Sequence, residues 1–206
     1  MVVIDGVEQK QYEEIDESSV IFSPNSKRLA FIAEKGDLQL VVVDGEESEA
    51  YDLIGEGSLL FSPDSQHVAF VAVQGPSEFI LIDGEEQEHY DGVVRDTLSF
   101  SPDSSHIAYG ITTSNGKDHV IVDGQKIGPY DFVAEAPIAF STDSLNFAFA
   151  AMRGERWTVV VNGESGELYD GIVTDFGAKV IFDAPNHLHY IAVSGDEIIL
   201  VDEDLE

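Results

Sequence analysis

The chain has 206 residues, none of them Cys, and sets 10 Lys plus Arg against 40 Asp plus Glu, for a formal charge of −30. Without thiols there is no disulfide framework, thiolate nucleophile or thiolate metal site, and a field this negative repels nucleic acid and anionic membrane surfaces. Hydrophobic residues at 43% rule out disorder by composition. No run reaches the ~20 apolar residues of a membrane span, and the opening MVVIDGVEQK is not a signal peptide, so a soluble protein of unassigned compartment is expected.

In chain order, Val2–Ile4 reads as a short strand that ends at Asp5-Gly6, and a polar stretch then leads to Tyr12-Glu13. From Phe22 onward one pattern repeats. FSPN, FSPD, FSPD, FSTD and FDAP begin at Phe22, Phe61, Phe100, Phe140 and Phe182. A glycine after Asp or Asn falls at Gly6, Gly45, Gly84, Gly124 and Gly163, and Tyr followed by an acid falls at Tyr12, Tyr51, Tyr90, Tyr130 and Tyr169. Three landmarks kept in step mark an internal repeat.

Each copy reads as strands throughout. In the second, SLLFS is a short apolar run closed by the turn SPDS. HVAFVAV is a second run, and FILI a third that ends in Asp83-Gly84, a pair whose residues tolerate positive φ and so favour a hairpin. A weaker polar run, EHYDGVV, completes the unit, and nothing has helical period or helix caps. Four antiparallel strands in about 40 residues make one blade of a β-propeller. The apolar runs lack clean alternation, as in sheets packed on both faces.

FSPDS followed by VAF or IAY resembles the repeat of TolB-type, WD-repeat-like propellers, and VVVDGEE…YD is similar to a variant common in bacterial repeat proteins. The similarity covers essentially the whole chain. It implies an all-β propeller, most simply five blades of four antiparallel strands in a single domain over residues 1–206, and a role as a binding platform. FSTDS at Phe140, VNG at Asn162 and FDAPN at Phe182 depart from the pattern. Third-type strands occur six times, from Val2–Ile4 to Ile198–Val201, against five of each other kind. A closed ring is therefore expected to complete its last blade with the N-terminal strand around Gln11 to Ile15, so that N- and C-terminal strands share that blade. One of the two terminal third strands is then left to fray, compete or pair with another molecule.

The six histidines and the serines of FSPDS recur or stand alone, so neither a metal site nor a catalytic triad is expected. Glu17, Glu56, Asp96, Glu135 and Asp175 precede successive inner strands, and in a closed ring they would surround one mouth of the channel, where Ca²⁺ is the cation they suit. Otherwise no cofactor is expected. Lys35, Lys117, Arg153 and Arg156 fall in loops between second and third strands. Trp157 stands where the sibling copies read Gln39, Glu78, Asp118 and Glu197, hence as an exposed ring, the usual composition of an interface anchor.

The reading is a non-catalytic binding or scaffold module for a protein or peptide. Its alternatives are a propeller hydrolase or lactonase with a channel cation, an accessory propeller cut from a larger enzyme, and an engineered propeller without natural ligand. Self-repulsion among the acids should weaken the compact state at low ionic strength. Added NaCl is therefore expected to raise the melting temperature, and a flat response would mean that the acids are locally paired.

Overall fold

The longest apolar runs form the middle of each sheet. Leu29–Lys35, Val68–Gln74, Ile107–Thr112, Phe147–Arg153 and His187–Ser194 each pair antiparallel with the strand that follows: Leu38–Val43, Ser77–Ile82, Asp118–Val122, Arg156–Val161 and Glu197–Asp204. Leu29 to Ala33 and Val68 to Ala72 are buried at every position, as expected of strands covered on both faces. The computed structural model describes residues 3–4, 7–8, 10–174 and 179–205. These fall into two units, Met1–Tyr90 with two such sheets and Asp91–Glu206 with three. Among the described residues the only helix is a 3-10 turn, Glu17–Ser19, and none is long and apolar enough to cross a membrane.

The Asp–Gly or Asn–Gly landmark makes the turn after the third strand in four of the five sheets. Its residues have positive φ in pairs: 54° and 90° at Asp44-Gly45, 52° and 82° at Asp83-Gly84, 49° and 79° at Asp123-Gly124, 52° and 88° at Asn162-Gly163. That is the two-residue hairpin whose twist matches the strands it joins. The acid also works across the sheet: one oxygen of Asp44, Asp83, Asp123 and Asn162 accepts from the backbone N–H of Leu29, Val68, Ile107 and Phe147. The other Asp oxygen meets Arg28 Nε at 2.7 Å, His67 Nδ1 at 2.6 Å and His106 Nδ1 at 2.6 Å. Where Asn162 replaces Asp, its amide donates to Asn146 at 2.7 Å, so the departure is compensated. The repeated histidines therefore clamp turns.

The SPDS landmark closes the first turn. Ser101 Oγ donates to Asp103 at 2.6 Å and accepts from His106 N, while Asp103 also accepts from Ser105 N. The serine hydroxyls hold Asp103 and Asp143 below the usual carboxylate range. The second serine, at φ 69° in Ser65 and 65° in Ser144, accepts from the backbone of the neighbouring sheet, Asn25 N at 3.1 Å and Asp103 N at 3.0 Å. Turn and stitch are one device.

Two strands differ from expectation. The first strand is split: Leu53–Ile54 and Leu60–Phe61 both pair with Val68–Gln74, with Gly55 to Leu59 looping out between them. In three sheets the fourth strand is short, Glu46–Glu47, Glu85–Glu86 or Glu164–Ser165, and the Tyr of the third landmark closes it by exchanging backbone bonds with Gln39, Glu78 or Trp157. In the third sheet it runs continuously from Gln125 to Tyr130, which stands opposite Asp118. The following acid opens the next sheet, since Asp52, Asp131 and Asp170 each accept from a turn glycine, Gly75, Gly154 and Gly195, at 2.7 Å.

Near the N-terminus Ile15 bridges Ala33 and Glu14 O accepts from Glu34 N, alongside the first sheet. Val3–Ile4 pairs with Val7–Glu8 in a two-stranded sheet of its own. The last sheet is built from Gly171–Ile172, Ile181–Ala184, His187–Ser194 and Glu197–Asp204. Glu197–Asp204 pairs with His187–Ser194 along one side.

Candidate functional site

Loops between second and third strands gather at one end of each sheet, opposite the Asp–Gly turns. In the second unit this end carries Lys117, Arg153, Arg156 and Trp157. Lys117 Nζ and Gly154 N both bond the Asp131 carboxylate, which holds Asp131 below the ordinary carboxylate range, Lys117 foremost. Arg156 Nη2 donates to Leu168 O at 2.7 Å, and its Nε lies 3.4 Å from Asp170. Arg153 lies with its guanidinium 4.9 Å from the centre of the Tyr130 ring, and it forms no ion pair among the described residues. Burial raises the Tyr130 hydroxyl's pKa, offset in part by Arg153.

Trp157 corrects the sequence reading in two ways. It is half-buried rather than exposed, packing on the cluster that contains Tyr169, Ile172 and Tyr190, and Phe132 meets it edge-on at 5.7 Å and 81°. The arginines do not stack on it: Arg153 goes to Tyr130 and Arg156 to Leu168 and Asp170. The polar siblings misled because polarity at this position does not mean exposure. Gln39 Oε1 accepts from Ile54 N at 2.9 Å, and Asp118, only 6% exposed, accepts from Val133 N at 2.9 Å. The position reaches across to the next first strand. By register the fifth member is Ile198 rather than Glu197, since Ile198, like Gln39, Glu78 and Trp157, is the second residue of its strand. Lys35 sits exposed at the end of Leu29–Lys35 in the first unit, where its charge helps Lys10 lower the Glu47 carboxyl.

The carboxylate ring is not supported. Among the described residues no group of three or more His, Asp or Glu side chains could hold a metal ion, and Asp175 lies outside those residues. Glu56 sits in the loop that interrupts a first strand, and Asp96 takes a positive φ of 58° as a turn former. Glu17 lines a cleft of about 740 Å³ in the first unit with Glu13, Glu14, Asp16 and Glu34.

Among the described residues, His187 and His189 gather a cluster of carboxylates. His187 bonds Asp183 and Asp202, each at 2.6 Å, with Asp204 at 4.0 Å, and His189 lies 3.3 Å from Asp183. The hydrogen bonds to Asp183 and then Asp202 raise the His187 pKa above its ordinary 6.5, and His187 lowers that of Asp183. The raised histidine contributes stability that is complete below pH 6.5 and is lost as pH climbs through its folded value. The depressed Asp183 contributes stability lost as pH falls through its own. Thermal melts should therefore decline above pH 6.5 in the wild type and flatten in His187→Gln; the same slope in both would assign the decline elsewhere.

The sequence matches no protein-family model and no curated protein. Among solved structures, TolB from Acinetobacter baumannii aligns at 14% identity over 90% of this chain and 51% of its own, with a TM-score of 0.51. The β-propeller domain of the Trilobed protease from Pyrococcus furiosus aligns at 13% identity over 91% of this chain and 68% of its own, at 0.50. A prolyl endopeptidase aligns at 15% identity over 91% of this chain and 34% of its own, at 0.51. The chain thus spans about half the length of the TolB chain. These likenesses establish the fold, a β-propeller of the kind seen in TolB, whose five sheets here are its blades.

Proposed function

We propose that the chain is a non-catalytic binding module that takes a protein or peptide segment on the loop end of its second unit, around Arg153, Arg156, Lys117 and Trp157. The observation that carries this reading is Arg153. In a chain of charge −30, where Lys117 and Arg156 have carboxylate partners, Arg153 makes no ion pair among the described residues and rests on an aromatic ring. A guanidinium held this way is pre-ordered to receive a carboxylate, and the neighbouring half-exposed indole supplies an apolar anchor. The partner segment is therefore acidic and apolar.

An arrayed peptide library probed with the intact protein should enrich peptides that combine acidic and aromatic or aliphatic residues. Arg153→Glu should abolish that enrichment with little change in melting temperature. Trp157→Ala should weaken binding of the selected peptides by ~2 kcal/mol, roughly 30-fold, and also lower stability by about 2 kcal/mol, because the ring is half in the core. Peptides that bind both variants as tightly as the wild type would remove this face from consideration.

A second reading, an accessory propeller of a longer enzyme, is favoured by the propeller domain of the Trilobed protease and by the prolyl endopeptidase of which this chain spans 34%. The coding sequence on either side of this segment decides it.

A further inference from the structure

In four sheets the third strand turns back at an Asp–Gly or Asn–Gly pair and supplies its own fourth strand. The fifth does not. By register, Glu203 stands opposite Leu188 and Asp204 opposite His187. Those are the places that the Asp–Gly pair takes in the first sheet, where Asp44 N bonds Leu29 O. With no glycine to take the second positive φ, the chain runs straight through both positions, and Glu197–Asp204 is a strand of 8 residues. Its only strand partner among the described residues is His187–Ser194.

The free edge can be read from its siblings. Gln39, Glu78 and Trp157 exchange backbone bonds with the Tyr of the fourth strand, so the matching Ile198 points its N–H and C=O outward. Alternation does the same for Leu200, Asp202 and Asp204. The side chains of these four residues lie on one face. Ile198 is 79% and Leu200 65% exposed, followed by two carboxylates.

We propose that this edge accepts an added antiparallel strand from a basic partner, one that alternates Lys or Arg opposite Asp204 and Asp202 with aliphatic residues opposite Leu200 and Ile198. A second copy would bring its own charge of −30 to an edge that already carries Asp202 and Asp204, so charge selects a basic occupant over it. Three of the four fourth strands this chain makes set a carboxylate at the place next to the turn, Glu46 opposite Val43, Glu85 opposite Ile82 and Glu164 opposite Val161, and the other sets Gln125 opposite Val122. Asp202 occupies the Val43 place, so a strand of the commoner kind would set carboxylate against carboxylate. The site is separate from the Arg153 face and opposite to it in charge preference.

The test uses the full chain and two synthetic peptides. In one, every second residue runs Lys, Lys, Val, Ile with Thr between; in the other, Glu replaces Lys. The Lys peptide should bind at least about ten-fold more tightly and protect the Ile198 and Leu200 amides from hydrogen exchange. Leu200→Pro removes an outward N–H while leaving the inner pairing intact, and it should abolish binding. Asp204→Lys should shift preference toward the Glu peptide, a readout independent of folding in the proline variant. Equal binding of both peptides would overturn the proposal. So would edge amides already protected without peptide, by a second copy if the protection grows with protein concentration and by the chain's own segments if it does not.

Discussion

Truncating Phe79 to alanine is expected to remove about 3–5 kcal/mol of stability, the usual loss for a buried Phe, from a total of about 5–15 kcal/mol for a domain. Phe79 is 1% exposed and belongs to the cluster of Ile32, Val41, Tyr51, Leu59 and Phe70. Two rings lock it, Tyr51 edge-on at 5.7 Å and His89 stacked at 3.9 Å. Much of its wall is strand residues fixed by their ladders, Ile32, Val41 and Phe70 among them, which limits how far the hole can close. Urea unfolding should show a lowered midpoint at unchanged slope. A loss below about 1 kcal/mol would mean that the first unit is far less tightly packed than described.

The second large effect belongs to a polar residue. Asp118→Ala should cost about 2–3 kcal/mol, because it leaves a fully buried donor without its acceptor. The carboxylate accepts from Thr112 Oγ1 at 2.7 Å and from Val133 N at 2.9 Å. Val133 is 0% exposed, so no water replaces the lost bond. Asp118→Asn keeps an acceptor oxygen and should recover most of the loss in the same unfolding experiment. If Asn and Ala are equally damaging, the negative charge rather than the acceptor matters.

Asp118 also marks where sequence reasoning stopped. The repeat, its strands and its turns were legible because Asp–Gly pairs and FSPDS carry local chemistry: positive φ, a serine hydroxyl, a carboxylate within reach of its own backbone. Repetition told against a shared site for His67, His106 and His187 but did not say what each one meets: Asp83, Asp123 and, for His187, Asp183 and Asp202. What a side chain meets in the next sheet is not local. Gln39 and Asp118 look like surface residues in sequence and are sheet-to-sheet acceptors, and by the same misreading Trp157 looked exposed. The split in the first strand was hidden too, because Gly55 to Leu59 carries the ordinary residues of a turn. The last strand was half legible: the count of third strands showed a surplus, and no glycine near Glu203 supplies the turn that ends the other four.

Trp157 is the only tryptophan in the chain, which makes its fluorescence a direct report on the proposed binding face. Titration with a library-selected acidic, apolar peptide should shift and saturate the indole emission at the same concentration at which calorimetry shows binding. Arg153→Glu should remove both signals together. Calorimetric binding with no change in the indole, or binding unaffected by Arg153→Glu, would place the partner elsewhere on the propeller and contradict the account.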